Sequence, residues 1–297
     1  MATKKSSLPR VSAISDFKEI TKMRLSLSVV FSAMAGYLLG ATTIEVGTLI
    51  LLAFGGYFMV GASNIYNQII ERDLDALMDR TKNRPIPAGR ISVNSALTMA
   101  IIFTILGIAS LYIINPRTAM YGAISIFLYT SVYTPLKTKT PLSVFAGAIP
   151  GAIPFMLGWV AARNAFGIEP GTLFAIQFFW QFPHFWAIGW FLFDDYKKGG
   201  FFMLPTGKRD KGTATQTVMY TIWTVLISII PVFGVTGDLK LSIVAAIIVF
   251  AIGLGMIYYA LQLFVKRTEL AAKHLILASV IYITLLQIVY VADKFIR

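Results

Sequence analysis

Residues 46–90 read VGTLILLAFGGYFMVGASNIYNQIIERDLDALMDRTKNRPIPAGR. The stretch begins as an apolar run long enough to cross a bilayer, which takes about 20 helical residues, and it ends in closely spaced carboxylates and bases. Four oxygen-bearing residues recur in it at intervals of four: Asn67, Glu71, Asp75 and Asp79. If the apolar run continues as a helix, these oxygens line one slowly drifting face. The stretch therefore predicts a membrane helix that ends in a row of hard oxygen ligands.

We call residues 67–90 the first acidic segment. Carboxylates in a row repel one another unless a cation lies among them, and all-oxygen ligation suits Mg²⁺ or Ca²⁺. Arg72, Arg80, Lys82 and Arg84 alternate with the acidic residues. Because Mg²⁺ bridges carboxylate to phosphate while Arg and Lys neutralise the remaining charge, the segment predicts a site for a metal-bound phosphate. The alternative is a solvated loop of ion pairs at the membrane surface.

The composition of the whole chain is typical of a polytopic membrane protein. Hydrophobic residues make up 57% of the chain and charged residues 13%, whereas a soluble domain carries about 25% charged residues; the mean hydropathy is +0.72. The chain has no cysteine, which excludes disulfides, thiolate metal sites and cysteine nucleophiles. We expect an all-α fold with a basic cytoplasmic segment at residues 1–24, lacking a cleavable signal peptide and ending in a short amphipathic helix, and one membrane domain at residues 25–297.

Nine apolar segments approach or reach the length of a membrane span. They are residues 25–41, 46–70, 96–114, 118–132, 144–162, 173–193, 218–235, 241–265 and 275–292. With the amino terminus inside, the alternating loops place 21 of the 26 Lys and Arg residues on the cytoplasmic side. This asymmetry follows the positive-inside rule and predicts a multi-pass protein of the cell inner (cytoplasmic) membrane. The net charge of +12 then reflects topology, and nucleic acid is not an expected partner.

The second acidic segment, residues 193–212, reads FDDYKKGGFFMLPTGKRDKG. Asp194 and Asp195 end the sixth apolar segment, and Lys197 and Lys198 follow them. The predicted cytoplasmic side also holds 10 of the 14 acidic residues, an excess that the positive-inside rule does not explain. If the second and sixth spans face each other, two metal ions could lie between the two acidic segments. The alternative is an ordinary helix end.

The loop after the fourth span contains Tyr133 and Lys137, a phenol and an ammonium that could both donate to a phosphate. Pro135 lies between them and argues against a regular helix there. The alternative is a lysine that anchors the span at the lipid headgroups.

His184 lies inside the sixth span, within the run WQFPHFW. An imidazole in a membrane is costly unless it has a partner, and Gln177 and Gln181 are the candidate partners. A packed histidine is the more common outcome. The aromatic residues around it are compatible either with core packing or with the wall of a large apolar cavity.

The first acidic segment resembles the first acidic motif of the UbiA superfamily of intramembrane prenyltransferases. N-x-x-x-E-x-x-x-D at residues 67–75 and RTKNRPIPAGR at residues 80–90 carry this resemblance. Three further motifs resemble the branch of the superfamily that prenylates haem: YTPLKTKTPLS at 133–143, WQFPHFWA at 180–187 and DDYKKGGFFMLP at 194–205. The resemblance extends from about residue 21 to residue 205, and the remaining third matches only as membrane helices.

The sequence departs from the pattern of the wider superfamily in both acidic motifs. That pattern has Asp at the positions held here by Gln68 and Glu71. Its second motif is D-x-x-x-D, whose first position is Phe191 here. Both departures look like the haem branch, and they favour it over the alternative, a UbiA-type prenyltransferase of an aromatic quinone precursor.

The resemblance implies a UbiA-type helix bundle with a central cavity open to the cytoplasm, in which the farnesyl group of farnesyl diphosphate is transferred to a vinyl group of haem B, giving haem O. It implies departure of the diphosphate with Mg²⁺ as cofactor, leaving an allylic carbocation. The implied metal ligands are Asn67, Glu71, Asp75, Asp194 and Asp195. The residues implied for the diphosphate are Arg24, Arg72, Lys82, Arg84, Tyr133, Lys137 and Lys198. The implied catalytic set is Asn67, Glu71, Asp75 and Lys137. The haem-binding candidates are Trp180 and His184, the latter as a candidate axial ligand.

The partners implied in this way are farnesyl diphosphate, haem B, the lipid bilayer and a downstream haem A synthase or terminal oxidase assembly. A non-enzymatic alternative is a nine-helix transporter with charged gates. A transporter predicts ionisable residues along a pathway through the spans, whereas those of this chain gather near one membrane face.

Overall fold

The computed structural model describes residues 12–297, and within that range the chain forms helices and no β-strand. In chain order the helices are α1 (Ala13–Ile20), α2 (Met23–Gly40), α3 (Val46–Ile70), α4 (Arg72–Asp75), α5 (Val93–Ile114), α6 (Pro116–Phe127), α7 (Thr134–Leu136), α8 (Ser143–Arg163), α9 (Ile168–Phe191), α10 (Phe193–Lys198), α11 (Lys211–Ile227), α12 (Ile243–Lys266) and α13 (Glu269–Ile296). A widened, π-helical turn at Leu128–Tyr133 joins α6 to α7, and a 3₁₀ turn at Ile230–Phe233 follows α11. The predicted all-α fold is confirmed.

Polar residues at the helix starts explain several of these boundaries. Ser92, Asn115, Asp210, Ser242 and Thr268 each precede a helix, and each side chain accepts a hydrogen bond from the backbone N–H three residues further on. Such a cap satisfies one of the amide groups that the first helical turn leaves unpaired. The chain therefore enters these apolar segments at positions that the sequence marks with a polar side chain.

Seven helical segments are long and apolar enough to cross a membrane: Met23–Gly40, Val46–Ile70, Val93–Ile114, Ser143–Arg163, Lys211–Phe233, Ile243–Lys266 and Glu269–Ile296. The chain is therefore a multi-pass membrane protein, as predicted. The other two predicted spans correspond to α6 with its π-helical turn and to α9. α6 has only 12 residues, and α9 carries two glutamines and a histidine in its interior. The count of nine spans stays a prediction.

The long helices form a ring around a central cavity. Successive long helices pack against each other along the chain, and α13 closes the ring against α9 and α2. The buried apolar side chains form two clusters. One cluster is built on α3, α5 and α6 and the other on α9, α11, α12 and α13, while α2 and α8 contribute to both. The cavity thus lies between two packed halves of the bundle.

α2 and α8 cross with their backbones in contact. A Cβ atom added at Gly36 would overlap the carbonyl oxygen of Phe155, and one added at Gly158 would overlap that of Ala33. Small residues of this kind allow membrane helices to approach closely and to pack by van der Waals contact. The crossing holds together the two helices that the clusters share.

α1 is the helix that the sequence predicts at the end of the basic amino-terminal segment. Arg90, the last residue of the first acidic segment, donates from Nε to Asp16 at 2.8 Å and from Nη2 to Glu19 at 3.2 Å. These ion pairs fix α1 beside the first acidic segment. Lys4, Lys5 and Arg10 of the basic segment lie outside the described residues.

Candidate active site

Asn67, Glu71 and Asp75 lie together where α3 ends and α4 begins. The backbone N–H of Glu71 donates to the carbonyl of Asn67 at 2.9 Å, and that of Asp75 donates to Glu71 at 2.7 Å. The chain therefore stays close to helical across the end of α3 at Ile70, and the predicted common face is confirmed as far as Asp75. Each of the three residues exposes 3% of its surface or less.

One buried cation, Lys137, and one partly buried cation, Arg84, contact this oxygen row. Arg84 Nη1 lies 2.7 Å from Asp75 Oδ2, and Lys137 Nζ lies 2.7 Å from Glu71 Oε1. The pairing is incomplete: among residues 12–297, Asp75 Oδ1 has no hydrogen-bond partner, and the contact at Glu71 Oε1 is an ion pair without hydrogen-bond geometry. Buried carboxylate oxygens of this kind are costly unless a further donor or a cation satisfies them. The row therefore keeps acceptor oxygens for a further donor or a cation.

A cavity of about 480 Å³ opens next to these carboxylates. Within the described chain, its charged lining residues are Lys22, Glu71, Asp75, Arg80, Arg84 and Lys137. All six come from helix ends and loops on one side of the bundle. The rest of the wall consists of apolar, hydroxyl, aromatic and amide side chains, most of them from the long helices. The cavity thus has one charged end and a largely apolar body.

Lys22 reaches the charged end from the turn between α1 and α2. Its backbone lies in the left-handed region, with φ at 45°, which costs a residue other than glycine about 1 kcal/mol or more. Its Nζ lies 3.5 Å from Asn67 Oδ1. Although the open cavity leaves part of the side chain accessible, desolvation by the protein, together with the charges of Arg84 and Lys137, lowers the pKa of Lys22 to about 7. A strained, crowded cation of this kind is typical of a functional site.

Tyr133 and Lys137 reach the cavity from a distorted helical turn. Pro135 has no N–H to donate to the carbonyl of Ser131, and the helix widens into its π-helical turn just before it. Lys137 Nζ lies 4.7 Å from the centre of the Tyr133 ring, a cation–π contact. Both residues are buried. The predicted irregularity at Pro135 is confirmed, as a widened helix in place of an open loop.

Four cations predicted to bind the diphosphate do not line the cavity: Arg24, Arg72, Lys82 and Lys198. Arg24 and Arg72 are exposed, and Arg24 lies two positions beyond Lys22, which places it on another side of the chain. Lys82 and Lys198 both donate to Asp79. These hydrogen bonds lower the pKa of Asp79 to about 2, and the bond from Lys198 makes the largest contribution. Asp79 is thus an ion-pair partner of the bases, and although it continues the interval of four it does not join the buried row.

The structure does not bring Asp194 and Asp195 into the cavity lining. Asp194 is largely exposed and accepts from Arg209 Nη1 at 3.0 Å. Asp195 accepts from the backbone N–H groups of Asp79 at 2.8 Å and Arg80 at 3.2 Å. Protein donors therefore occupy both oxygens of Asp195, whereas Asp194 forms an exposed ion pair outside the cavity. The prediction that this pair binds metal is not supported by its place in the fold.

The second acidic segment still contributes to the cavity through its apolar residues. Tyr196, Phe201 and Met203 line it, and the Tyr196 hydroxyl accepts from Arg80 Nη2 at 3.3 Å. The backbone N–H of Phe202 donates to the carbonyl of Lys137 at 2.7 Å. The segment thus supports the charged end of the cavity without supplying its charges.

The aromatic run of α9 divides between two faces. Trp180 and His184 line the cavity, whereas Phe182 and Trp186 pack on Tyr220 of α11, with ring centroids 4.6 Å and 5.0 Å apart. Both readings of the aromatic density are therefore correct, each for one face of the helix.

The predicted partners of His184 are wrong. Its Nδ1 lies 2.8 Å from the hydroxyl of Ser279 on α13, while the side-chain amide of Gln181 donates to Ala148 at 2.9 Å. Gln177 accepts from Gln287 at 3.4 Å. The two glutamines form hydrogen bonds to other helices because they lie on the side of α9 that faces α8 and α13. The partner of the imidazole is instead the hydroxyl of Ser279 on α13.

The sequence reasoning missed two lining residues, Tyr129 and Lys22, and one buried residue behind the lining, Ser279. Tyr129 lines the cavity one helical turn before Tyr133, and the spacing of four was a signal that could have found it. Lys22 was grouped with the basic segment, because only the left-handed turn directs it inward. Ser279 is one serine in an apolar helix, and no pattern in the sequence marks it.

Comparison with known proteins identifies relatives along almost the whole chain. The model of the UbiA prenyltransferase family matches residues 29–283. A protein named protoheme IX farnesyltransferase from Christiangramia forsetii is 74% identical over 289 residues, which cover 97% of this chain and 96% of the relative.

Two solved structures share the fold at low identity. A digeranylgeranylglyceryl phosphate synthase superposes with a TM-score of 0.76 at 18% identity, covering 94% of this chain and 98% of its own. A UbiA homologue from Archaeoglobus fulgidus, described as bound to GPP and Mg²⁺, superposes with a TM-score of 0.68 at 18% identity, covering 94% of this chain and 100% of its own. The predicted UbiA-type bundle is confirmed.

Proposed function

The chain belongs to the UbiA prenyltransferase family, and from this premise we propose that it transfers the farnesyl group of farnesyl diphosphate to a vinyl group of haem B, giving haem O. The relative that is 74% identical over nearly the full length carries the name of this activity. Within the chain, one observation carries the proposal. The buried row Asn67, Glu71 and Asp75 stands at the charged end of a cavity whose apolar wall extends to His184.

Asn67, Glu71 and Asp75 fit a magnesium ion. Their side chains offer oxygen ligands, which Mg²⁺ prefers, and Asp75 Oδ1 has no hydrogen-bond partner in the part of the chain that the structure describes. The Archaeoglobus fulgidus homologue is described with Mg²⁺ and GPP, which supports the same use here. When bound, Mg²⁺ supplies electrostatic stabilisation of the charge that develops on the departing diphosphate. We leave Asp194 and Asp195 out of this ligand set because protein donors occupy them.

The cations around the row are placed to bind the diphosphate oxygens. Lys22, Arg84 and Lys137 all line the charged end, and charge-assisted hydrogen bonds to phosphate are the strong ones. The Tyr133 hydroxyl adds a neutral donor. Because the fold holds these groups in place before the reaction, they stabilise the extra negative charge as the bond between the farnesyl C1 and the diphosphate oxygen breaks.

The apolar body of the cavity suits the farnesyl chain and its allylic cation. A small apolar branch of about 50 Å³ shares Val29, Val60 and Pro154 with the main cavity and continues it toward Met59 and Leu111. Walls of this kind exclude water from the cation until the acceptor attacks. The farnesyl chain therefore extends from the charged end into the bundle.

The side of the cavity that binds haem B, the proposed acceptor, lies along α9 and α13. His184 is seven residues before the end of α9, about 10 Å along the helix axis. It is a candidate axial ligand for haem iron, and Trp180 is a candidate platform for the macrocycle. A vinyl group of haem B attacks farnesyl C1, a carbon–carbon bond forms, and water adds to the resulting cation with loss of a proton. Diphosphate, one proton and a hydroxyethylfarnesyl-substituted haem are the products.

We further propose the orientation and surroundings of the enzyme. Residues 1–24 and the charged end of the cavity face the cytoplasm, and residues 25–297 act as one domain in the cell inner membrane, as the distribution of basic residues indicates. The product carries an apolar farnesyl chain and stays in the bilayer. A membrane haem A synthase or terminal oxidase assembly is therefore the expected consumer.

The deciding experiment supplies purified protein with labelled farnesyl diphosphate, Mg²⁺ and one of two acceptors, haem B or 4-hydroxybenzoate. We expect farnesylated haem, identified by mass spectrometry, and no labelled aromatic acid. Labelled 4-hydroxybenzoate without labelled haem would identify the alternative, a quinone-precursor prenyltransferase. Independence from Mg²⁺, with no product from either acceptor, would favour a transporter.

A further inference from the structure

Ser279 of α13 is fully buried, and its hydroxyl connects two helices. The Oγ atom lies 2.7 Å from the carbonyl oxygen of Ile276, one turn earlier in the same helix, and 2.8 Å from His184 Nδ1 on α9. A hydroxyl has one proton to donate, and a serine inside a helix gives it to a carbonyl of the preceding turn. Toward His184 the same oxygen is then an acceptor, so the imidazole proton resides on Nδ1.

This arrangement determines which ring nitrogen of His184 is available to the cavity. A neutral imidazole with its proton on Nδ1 carries an unprotonated lone pair on Nε2. Nδ1 forms the hydrogen bond to Ser279 on α13, and within residues 12–297 Nε2 forms no hydrogen bond. Because His184 lines the cavity, Nε2 is the atom left for a ligand there.

Trp180 holds the same imidazole from a second direction. Its indole stacks on the His184 ring with centroids 4.7 Å apart and planes inclined by 17°. The indole Nε1 donates to the backbone carbonyl of Ser279 at 2.7 Å. A single residue of α13 thus fixes both side chains: its carbonyl fixes the indole, and its hydroxyl fixes the imidazole.

We propose that Ser279 is a positioning residue that holds His184 as the Nδ1–H tautomer and directs its Nε2 toward the iron of haem B. The proposal rests on haem B being the acceptor, as proposed above. Histidines that bind metals nearly always donate their other ring N–H to an oxygen acceptor, and loss of that acceptor typically costs about 10- to 100-fold in metal affinity. Ser279 is the acceptor of this kind at His184.

The test measures haem binding directly. Full-length protein in detergent is titrated with ferric haem B, and the Soret absorbance and the electron paramagnetic resonance spectrum report nitrogen ligation of the iron. We expect Ser279→Ala to weaken haem B binding by about 10- to 100-fold and to lose the histidine-ligated spectrum. Ser279→Thr keeps the hydroxyl and should retain both. Ser228→Ala is the matched control, because Ser228 is also buried and donates to a backbone carbonyl one turn earlier at 2.7 Å, whereas only the hydroxyl of Ser279 contacts His184 within the described residues.

His184→Ala separates the possible failures. If His184→Ala loses the histidine-ligated spectrum and Ser279→Ala keeps it with wild-type affinity, the role of Ser279 is wrong while His184 remains a ligand. If His184→Ala keeps the wild-type spectrum, His184 is no ligand and the inference about Ser279 fails with it. If the wild-type protein does not bind haem B, the proposed acceptor itself is wrong. Binding of labelled farnesyl diphosphate should be the same in all these variants, and a parallel loss would show a general folding defect that overturns the specific role.

Discussion

The two acidic segments are alike in sequence and different in structure. Each places carboxylates at the end of an apolar helix and follows them with bases. In the first, Glu71 and Asp75 expose 3% and 1% of their surface, and their oxygens lie at the charged end of the cavity. In the second, the side chain of Asp194 is 73% exposed, and Asp195 caps backbone N–H groups of the first segment. The difference shows that the pattern alone does not identify a ligand site.

Unsatisfied carboxylate oxygens separate the two segments better than the number of charges does. In the described part of the chain, the first segment retains Asp75 Oδ1 without a hydrogen-bond partner and Glu71 Oε1 with only an ion-pair contact. The oxygens of Asp195 are occupied by two backbone donors. An unpaired buried carboxylate oxygen costs stability, and the residues that carry those of the first segment line the cavity, where a ligand can satisfy them. The second segment therefore supports the first.

The largest expected effect follows from removing a carboxylate of the buried row. Glu71→Ala and Asp75→Ala should each abolish detectable product, a loss of about 10³-fold or more, because a preorganised group that stabilises the departing charge contributes about 10²- to 10³-fold by itself and the metal site is lost with it. The measurement is turnover of labelled farnesyl diphosphate with haem B across a Mg²⁺ titration, using protein shown to be inserted and monodisperse.

Asp79→Asn is the matched control for this pair. Asp79 continues the same interval of four, yet it lies outside the cavity lining, bound to Lys82 and Lys198. We expect its turnover to stay within about threefold of wild type, as for most surface changes. Normal turnover in Glu71→Ala or Asp75→Ala would remove the proposed site, whatever Asp79→Asn does.

The next effect compares two cations that lie two residues apart. Lys22→Met should raise KM for farnesyl diphosphate by about 10- to 100-fold, because a hydrogen bond to a charged group contributes about 1.5–3 kcal/mol. Arg24→Met should change KM by less than about threefold, since Arg24 is exposed and does not line the cavity. Steady-state kinetics with varied farnesyl diphosphate decides between them. The reverse order of effects would mean that the chain turns differently at Lys22.

These residues also show how much of the fold and of the candidate site can be predicted from the sequence. The helices and the row Asn67, Glu71 and Asp75 follow from hydrophobic length and an interval of four, both of which are local properties. Lys22 depends on one left-handed residue between two helices, and Ser279 depends on the packing of α13 against α9. Contacts between distant helices are set by packing, and a single sequence carries no local pattern for them.

The same limit explains the second acidic segment. Asp195 and Asp75 are equally plausible ligands in sequence, because both follow a membrane helix and precede bases. Their roles diverge only when the loop at Asp79 and Arg80 folds back and presents two backbone N–H groups to Asp195. Solvation and pairing, which a linear pattern does not contain, decide the outcome.

A smaller effect is expected from Asp195→Asn. The amide keeps one acceptor for the two backbone N–H groups but loses the charge that strengthens both bonds, a cost of about 1 kcal/mol. Thermal inactivation should begin a few degrees earlier, and turnover should fall by about threefold to tenfold as the loop loosens. The Mg²⁺ concentration for half-maximal activity should not change, and an increase of tenfold or more would assign Asp195 to the metal after all.

Asp194→Asn should have the smallest effect and tests the comparison most sharply. Its carboxylate is exposed and bound to Arg209, and a pair of that kind contributes about 0–1 kcal/mol. Arg209 also donates to the carbonyl of Trp190 at 2.8 Å and pairs with Glu269 at 2.9 Å, so its position survives the substitution. Turnover and Mg²⁺ dependence should both stay within about twofold of wild type in the labelled assay. A large loss with a raised Mg²⁺ requirement would mean that the second acidic segment moves to the oxygen row during turnover, and the two segments would then share one function.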